Sequence, residues 1–189
     1  MMQITILSDI PVSPNYVLGK REEVSVYPHI IRMQHGELMC VYRQGTAKHS
    51  MDGVLIAQKS ADNGNSWSNQ VIIFDGREKS VPESVMTGTH CQLPDGQVIA
   101  VFRVVEIDDP DVYVFSEAGR KLRYRLCLVR SDDFGENWSV PETVEIPGKA
   151  YSLYTGTRPM VLESNDLLLP MEATGSRGQQ LTLSALSSD

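Results

Sequence analysis

Two octets decide the fold of this chain, SADNGNSW at Ser60–Trp67 and SDDFGENW at Ser131–Trp138. Both fit the pattern Ser-x-Asp-x-Gly-x-x-Trp, and they begin 71 residues apart. The last residues, Ser187–Asp189, have the form in which a third copy would begin. A pattern with four fixed positions rarely recurs by chance, so the octets predict a chain built from repeated units.

The segments around the octets repeat as well. Each unit has two apolar runs joined by a turn, in Pro28–Arg43, Thr89–Arg103 and Thr157–Glu172. The turn dipeptides tolerate a positive φ, and they are His35-Gly36, Asp95-Gly96 and Ser164-Asn165. A third run leads into each octet, in Gly53–Ser60, Arg125–Ser131 and Gln179–Ser187. A fourth run follows each tryptophan, in Gln70–Phe74 and Glu142–Ile146.

These runs are short, rich in Val, Ile and Leu, and separated by turn residues, and no helical period accompanies them. Four-stranded units in tandem are typical of the blades of a β-propeller. We therefore predict an all-β fold, a single partial propeller domain over residues 1–189, with blade-like units at about 24–76, 85–148 and 154–189. The third unit would stop inside its octet.

The octets have a structural role in such a blade, where the chain must reverse between the third and fourth strands. An aspartate in the turn accepts backbone hydrogen bonds, the glycine adopts the left-handed conformation, and the tryptophan anchors the turn by packing. We assign this structural role to Ser60, Asp62, Gly64, Trp67, Ser131, Asp133, Gly135 and Trp138.

Composition excludes several classes of protein. The 189 residues include 17 basic and 24 acidic side chains, a net charge of −7, which disfavours general nucleic-acid binding. No apolar run approaches the ~20 residues that span a bilayer. The first residues lack the features of a secretory signal, which favours a cytoplasmic location. The histidines and cysteines lack metal-ligand spacing, so we predict no metal or cofactor and buried free thiols at Cys40, Cys91 and Cys127.

The octets resemble the Asp-box, or bacterial neuraminidase repeat, and the chain from about Val26 onward resembles the sialidase superfamily of six-bladed propellers. The resemblance implies a glycoside hydrolase whose substrate, a sialylated or other acidic glycan, lies over the central axis, on the rim opposite the Asp-boxes. Two to three blades are about half of such a ring. We therefore expect an N-terminal fragment that is inactive by itself, and its oligomeric state stays open.

The repeats bring polar residues to the rim that the resemblance implies. His29, His90 and Arg158 would lie where the first strands start, either lining the pocket or as satisfied polar groups at strand ends. A second set follows seven residues after the turns, Arg43, Arg103 and Glu172. An arginine there would hold a substrate carboxylate or form a structural ion pair. All six are candidate substrate-binding residues.

The connection after the second strand of the first unit is the place where sialidases carry an acid/base aspartate. Asp52 is the nearest match, and the carboxyl would need a raised pKa to protonate a leaving oxygen. His49 is an alternative proton carrier, and a solvated turn aspartate before Gly53 is the structural alternative. The equivalent connection of the second unit, Glu106–Lys121, is longer and acidic, with Glu106, Asp108, Asp109 and Asp111.

One departure from the family affects the predicted substrate. Sialidases open their first blade with Arg-Ile-Pro, whereas this chain has Val26-Tyr27-Pro28, so the carboxylate clamp lacks one arginine. The remaining clamp arginines and the Tyr/Glu nucleophile belong to later blades of the family. We therefore expect a parent enzyme that acts on a carbohydrate other than a standard sialoside. The alternatives are a non-catalytic propeller that binds glycans or proteins, and a gene remnant or truncated product that never closes its ring.

Overall fold

The computed structural model describes residues 24–109, 112, 114, 122–145, 152–174 and 180–187. All regular structure in these residues is β-strand. The strands are β1 Val24–Arg32, β2 Leu38–Gly45, β3 Val54–Ser60, β4 Val71–Phe74, β5 Glu83–Gln92, β6 Val98–Glu106, β7 Tyr124–Ser131, β8 Glu142–Thr143, β9 Ser152–Tyr154, β10 Met160–Val161, β11 Leu167–Thr174 and β12 Gln180–Ser187. The described part of the chain contains no helix that is long and apolar enough to cross a membrane.

The strands form three antiparallel four-stranded sheets in chain order, which confirms the all-β prediction. The first sheet has the order β1-β2-β3-β4 and the second has β5-β6-β7-β8. In the third sheet β11 pairs with β12 on one side and with two short strands, β9 and β10, on the other. These two short strands together take the position of the first strand of each unit, β1 or β5, which we call the inner strand. Residues 155–159 interrupt that inner strand, so Arg158 lies outside the ladder.

Tight turns join the first two strands of each unit where the sequence predicts them. The backbone φ is 99° at Gly36, 95° at Gly96 and 69° at Asn165, which is the left-handed region that the last residue of a three-residue hairpin loop adopts. The octet turns repeat this feature, with φ of 90° at Gly64 and 87° at Gly135. The predicted positions of the strand reversals are therefore confirmed.

The inner strands begin earlier than the sequence suggests. A β-bulge separates Val26 from His29 in β1, and another separates Val85 from Thr87 in β5. The residues before each bulge also pair with the neighbouring strand, β2 or β6. His29 and His90 therefore lie well inside β1 and β5. The expectation that these two histidines lie at strand starts is therefore wrong.

The main core lies between the first and second sheets. Side chains of β2 and β3 pack against side chains of β5 and β6, and the rings of Phe74 and Phe102 lie 5.1 Å apart. Phe102 is fully buried, and burial of a phenylalanine contributes about 1.5–3 kcal/mol. The three cysteines are buried free thiols, as predicted. This core fixes the two sheets face to face and so sets the position of their loops.

The two complete Asp-boxes have the same hydrogen-bond network. The Ser60 hydroxyl donates to Asp62 at 2.8 Å and accepts the Gly64 N–H at 2.8 Å. Ser131, Asp133 and Gly135 repeat these bonds at 2.8 and 2.7 Å. Each aspartate also accepts the backbone N–H four residues on. Each tryptophan packs beside buried side chains, so both octets have the contacts that the predicted structural role requires. Of the incipient third octet, only Ser187 is among the described residues.

Because neighbouring strands are antiparallel, the connections between them lie at two opposite ends of the sheets. The turns at 33–37 and 61–70, and their counterparts in the second sheet, lie at one end, which we call the Asp-box rim. The connection 46–53, residues 107–109 and 122–123, and the beginnings of β1, β5 and β9 lie at the other end, which we call the loop rim. The rims are thus separated by the length of the strands, as the resemblance implies.

Candidate functional site

Arg43 is the largest fully buried polar side chain at the loop rim. Its Nε donates to the Val85 carbonyl oxygen of β5 at 2.7 Å. One terminal nitrogen donates to the Ala47 carbonyl at 2.8 Å and the other to the Ser50 carbonyl at 2.5 Å. The guanidinium therefore joins the 46–53 connection of the first sheet to the inner strand of the second. Burial lowers the pKa of Arg43, and the negative charge of Asp52 offsets only part of this shift.

Two glycines make room for this guanidinium. A Cβ on Gly53 would meet Arg43 Nε at 2.5 Å and would collide with the Val85 carbonyl oxygen. A Cβ on Gly45 would lie 2.9 Å from an Asp52 carboxylate oxygen and 3.0 Å from an Arg43 terminal nitrogen. A side chain at Gly45 or Gly53 would therefore displace the Arg43 guanidinium, which holds the 46–53 connection in place. Sequence reasoning missed both glycines because the partner they accommodate is distant in the fold.

Asp52 lies next to this arginine at the end of the connection. Its two carboxylate oxygens each accept the Thr46 N–H at 3.1 Å. Burial is the largest single influence on the pKa of Asp52 and raises it. Hydrogen bonds from Ser50 and Thr46 together with the charge of Arg43 outweigh that burial, so the pKa lies below its usual value. The pKa of Asp52 is therefore not raised as an acid/base role would need, because its hydrogen bonds favour the ionised form.

Tyr27 lies at the bulge of β1 and points its phenol across the loop rim. Its hydroxyl is 3.5 Å from His49 Nε2, and the Tyr154 phenol of β9 is near enough to raise the pKa of Tyr27. Burial is the main cause that raises the pKa of Tyr27, whereas burial and the charges of Lys48 and Arg43 lower the pKa of His49. The first and third sheets thus meet at this group.

Arg103 reaches the same place from the second sheet. Its guanidinium carbon lies 3.7 Å from the centre of the Tyr124 ring and 5.9 Å from the centre of the Tyr154 ring. Burial lowers the pKa of Arg103, and the two tyrosines oppose that shift. Arg43 and Arg103 occupy equivalent register positions, and Arg43 binds the carbonyls of the 46–53 connection.

His90 lies away from this group, in the core. His90 is fully buried, with Nε2 at 3.2 Å from the Met39 carbonyl oxygen, so this nitrogen carries the proton. Burial lowers the pKa of His90 to about 3, and His29 and Arg158 are near enough to add to the effect. His90 pairs with Ala100, whereas Thr89 holds the position that His29 holds in the first sheet.

Glu172 borders this group, whereas the described acidic residues after β6 lie on the surface. Glu172 is exposed and is the cross-strand partner of Tyr154 in the third sheet. Arg123 binds Glu106 at 2.6 Å and approaches Asp108 at 3.6 Å, both on the surface. Asp109 is exposed, and Asp111 lies outside the described residues. The structure therefore brings Arg43, Asp52 and His49 together and places Arg103 and Glu172 beside Tyr154.

Glu83 is a buried carboxylate at the loop rim that sequence reasoning also missed. Arg125 donates to it from Nε at 2.8 Å and from a terminal nitrogen at 2.6 Å, and Lys79 binds it at 2.7 Å. Burial raises the pKa of Glu83, but these cations outweigh it and lower the pKa overall. The carboxylate is engaged by two cations, which is typical of a structural ion pair.

A groove of about 670 Å³ opens between the second and third sheets at the Asp-box rim. Apolar side chains of β6 and β11 form most of its floor, among them Ile99, Val101 and Leu169. It contains none of the grouped polar residues of the loop rim. In the described ranges, no cluster of three His, Cys, Asp or Glu side chains could hold a metal ion.

The fold and the loop rim together define a sialidase-like propeller with partial blades. A family model described as a BNR repeat-like domain matches residues 36–188, and the chain belongs to that family. No curated protein matches the chain by sequence.

Solved structures show the same fold. The Hadza microbial sialidase Hz136 superposes with a TM-score of 0.75 at 16% identity, covering 87% of this chain and 35% of its own. A protein of unknown function from Dyadobacter fermentans gives 0.72 at 18% identity, covering 90% and 53%. Trypanosoma rangeli sialidase gives 0.66 at 16% identity, covering 88% and 29%. The chain thus spans about a third to a half of these proteins.

Proposed function

We propose that the chain forms part of the carbohydrate site of a sialidase-like glycoside hydrolase, and that the site lies at the loop rim. The observation that carries this proposal is the meeting of polar and aromatic side chains from all three sheets. Tyr27 lies near Tyr154, Tyr154 lies beside Arg103, and His49 approaches Tyr27. Hydroxyl, imidazole and aromatic groups at one rim are groups that bind a sugar by hydrogen bonds and stacking.

Within this site Asp52 is the acid/base carboxyl of the proposal. It starts ionised, since its hydrogen bonds hold its pKa low. A bound glycoside that displaced the Thr46 N–H would remove one of those bonds and raise the pKa toward the range that proton transfer requires. Arg43 positions the connection that carries Asp52, and Arg103, which lies against Tyr124 and Tyr154, is a candidate for sugar contact.

In this function the chain supplies the acid/base part of a site, and we assign the nucleophile to none of the described residues. We therefore expect sugar binding without turnover. A non-catalytic carbohydrate-binding propeller is the second candidate, and the lowered pKa of Asp52 favours it.

Two assays with Asp52→Asn separate these functions. The first measures release of 4-methylumbelliferone from its sialoside and galactoside, and the second measures binding of the corresponding methyl glycosides by NMR titration. Asp95→Asn, at a turn of the Asp-box rim, is the matched control. Sugar binding that Asp52→Asn weakens and Asp95→Asn leaves unchanged supports the enzyme-derived site. Binding that neither variant alters favours the non-catalytic propeller, and a wild-type chain that neither binds nor cleaves these sugars contradicts the proposal.

A further inference from the structure

Tyr27 has a backbone conformation that is costly for its side chain. Its φ is +57°, in the left-handed region that bulky residues rarely adopt. The other non-glycine residues with positive φ, in the described part of the chain, are Asn63, Phe134 and Asn165, all in turns. Tyr27 alone among these four lies within a strand. Strain of this kind persists where surrounding structure enforces it, and it concentrates at functional sites.

The bulge explains what the strain achieves. The regular pairing of β1 and β2 breaks between Val26 and His29, and Tyr27 lies in that break. A bulge redirects the side chain that it contains. Here it directs the Tyr27 phenol along the rim toward Tyr154 and His49, which belong to another sheet and to the connection 46–53.

The groups around this phenol suit a neutral, hydroxyl-bearing ligand. A phenol both donates and accepts hydrogen bonds, as does a neutral imidazole. Lys48 Nζ lies 5.4 Å from the centre of the Tyr27 ring, on the solvent side of the rim. The raised pKa of Tyr27 and the lowered pKa of His49 keep both groups uncharged at neutral pH.

We propose that Tyr27 is a specificity-determining residue. Its hydroxyl, together with the hydroxyl of Tyr154 and the imidazole of His49, binds a hydroxyl group of the sugar ring. This inference rests on the proposed function, since it names the group of the sugar that the loop rim recognises. It assigns a role to the residue next to the position where the resemblance places an arginine. The bulged backbone of β1 would thus supply a hydroxyl contact at the entrance of the first sheet.

The test compares single-hydroxyl deletions by NMR titration with methyl β-D-galactopyranoside and with methyl α-N-acetylneuraminide. Tyr27→Phe retains the ring and removes only the oxygen, so we expect about fivefold to tenfold weaker binding of the probe that the chain prefers. Tyr154→Phe should have a similar effect, and the double variant should lose less than the product of the two. Tyr42→Phe is the control, because that hydroxyl is buried against Gln58 at 2.7 Å, outside the site.

The outcomes distinguish this inference from the proposed function. If the wild-type chain binds a probe and Tyr27→Phe binds it equally well, the role of Tyr27 is refuted while the carbohydrate site stands. If Tyr42→Phe weakens binding as much as Tyr27→Phe, the effect is general and the role is again refuted. If the wild-type chain binds neither probe, both the role and the proposed site are refuted. Unchanged heteronuclear spectra of each free variant show that the fold is retained.

Discussion

The two rims of the sheets use the same repeat in opposite ways. At the Asp-box rim the first two units are nearly identical, with equal hydrogen bonds around Asp62 and Asp133 and φ values that differ by a few degrees. At the loop rim the equivalent positions have different surroundings. Repetition therefore preserves the turns that hold the fold, and divergence is concentrated at the loop rim, where we propose that a sugar binds.

Arg43 and Arg103 show this divergence most directly. Both follow the turn glycine of their unit by seven residues. Arg43 donates to three carbonyl oxygens, whereas Arg103 stacks on Tyr124. The first arginine is bound to backbone carbonyls and the second lies on aromatic rings, so we expect their substitutions to differ in their effects on stability and on binding.

The largest effect is expected for Arg43→Met compared with Arg103→Met. Loss of the Arg43 guanidinium leaves buried carbonyls without donors, which should lower the free energy of unfolding by about 3 kcal/mol. Loss of the Arg103 stack should cost about 1 kcal/mol. Urea denaturation followed by tryptophan fluorescence measures both. Equal losses would mean that the two arginines play the same role.

A smaller effect is expected at the glycines. Gly53→Ala places a methyl group against Arg43 and a rigid carbonyl, and such overpacking should cost about 2 kcal/mol. Gly36→Ala is the matched control, because its Cβ would have no heavy atom within 4 Å and only its φ of 99° opposes the change. That strain should cost about 1 kcal/mol. The same denaturation assay applies, and a larger loss at Gly36 would contradict the proposed packing of Arg43.

The smallest effect concerns the pH dependence of the Asp-boxes. Hydrogen bonds donated by Ser66 lower the pKa of Asp62 to about 2, from an ordinary 3.8. Hydrogen bonds donated by Asn137 likewise lower the pKa of Asp133 to about 2. A lowered folded-state pKa stabilises the fold above the ordinary value, and this stabilisation is lost as the pH falls from about 4 toward 2. Asp62→Asn should therefore lower Tm by several degrees at neutral pH and by less near pH 2. Thermal scans at the two pH values measure the difference, and a constant offset would contradict the shift.

The architecture could be predicted from the sequence because it depends on local signals. The octets, the turn dipeptides and the alternating runs each encode their own hydrogen bonds within a few residues, as at Ser60 and Asp62. The inner strand of the third sheet was harder to predict. Its interruption at 155–159, which removes Arg158 from the ladder, has no counterpart in the first two units.

The site could be predicted only in part, because its geometry depends on contacts between sheets. Arg43, Asp52, His49 and Arg103 were identified by their position after the strands. The environment of Asp52, with a lowered pKa, follows from Thr46, Ser50 and Arg43 in three dimensions. The bulge at Tyr27 and the approach of Tyr154 from the third sheet have no local sequence signal, so these residues were missed.

The central claim is that sugar binds at the loop rim, and chemical-shift mapping with the preferred methyl glycoside tests it most directly. The chain has two tryptophans, Trp67 and Trp138, and their indole N–H signals report on the Asp-box rim. We predict saturable shifts at Tyr27, His49, Asp52 and Arg103, with the indole signals unchanged. Saturable shifts of the indole signals, with the four loop-rim residues unmoved, would contradict the claim.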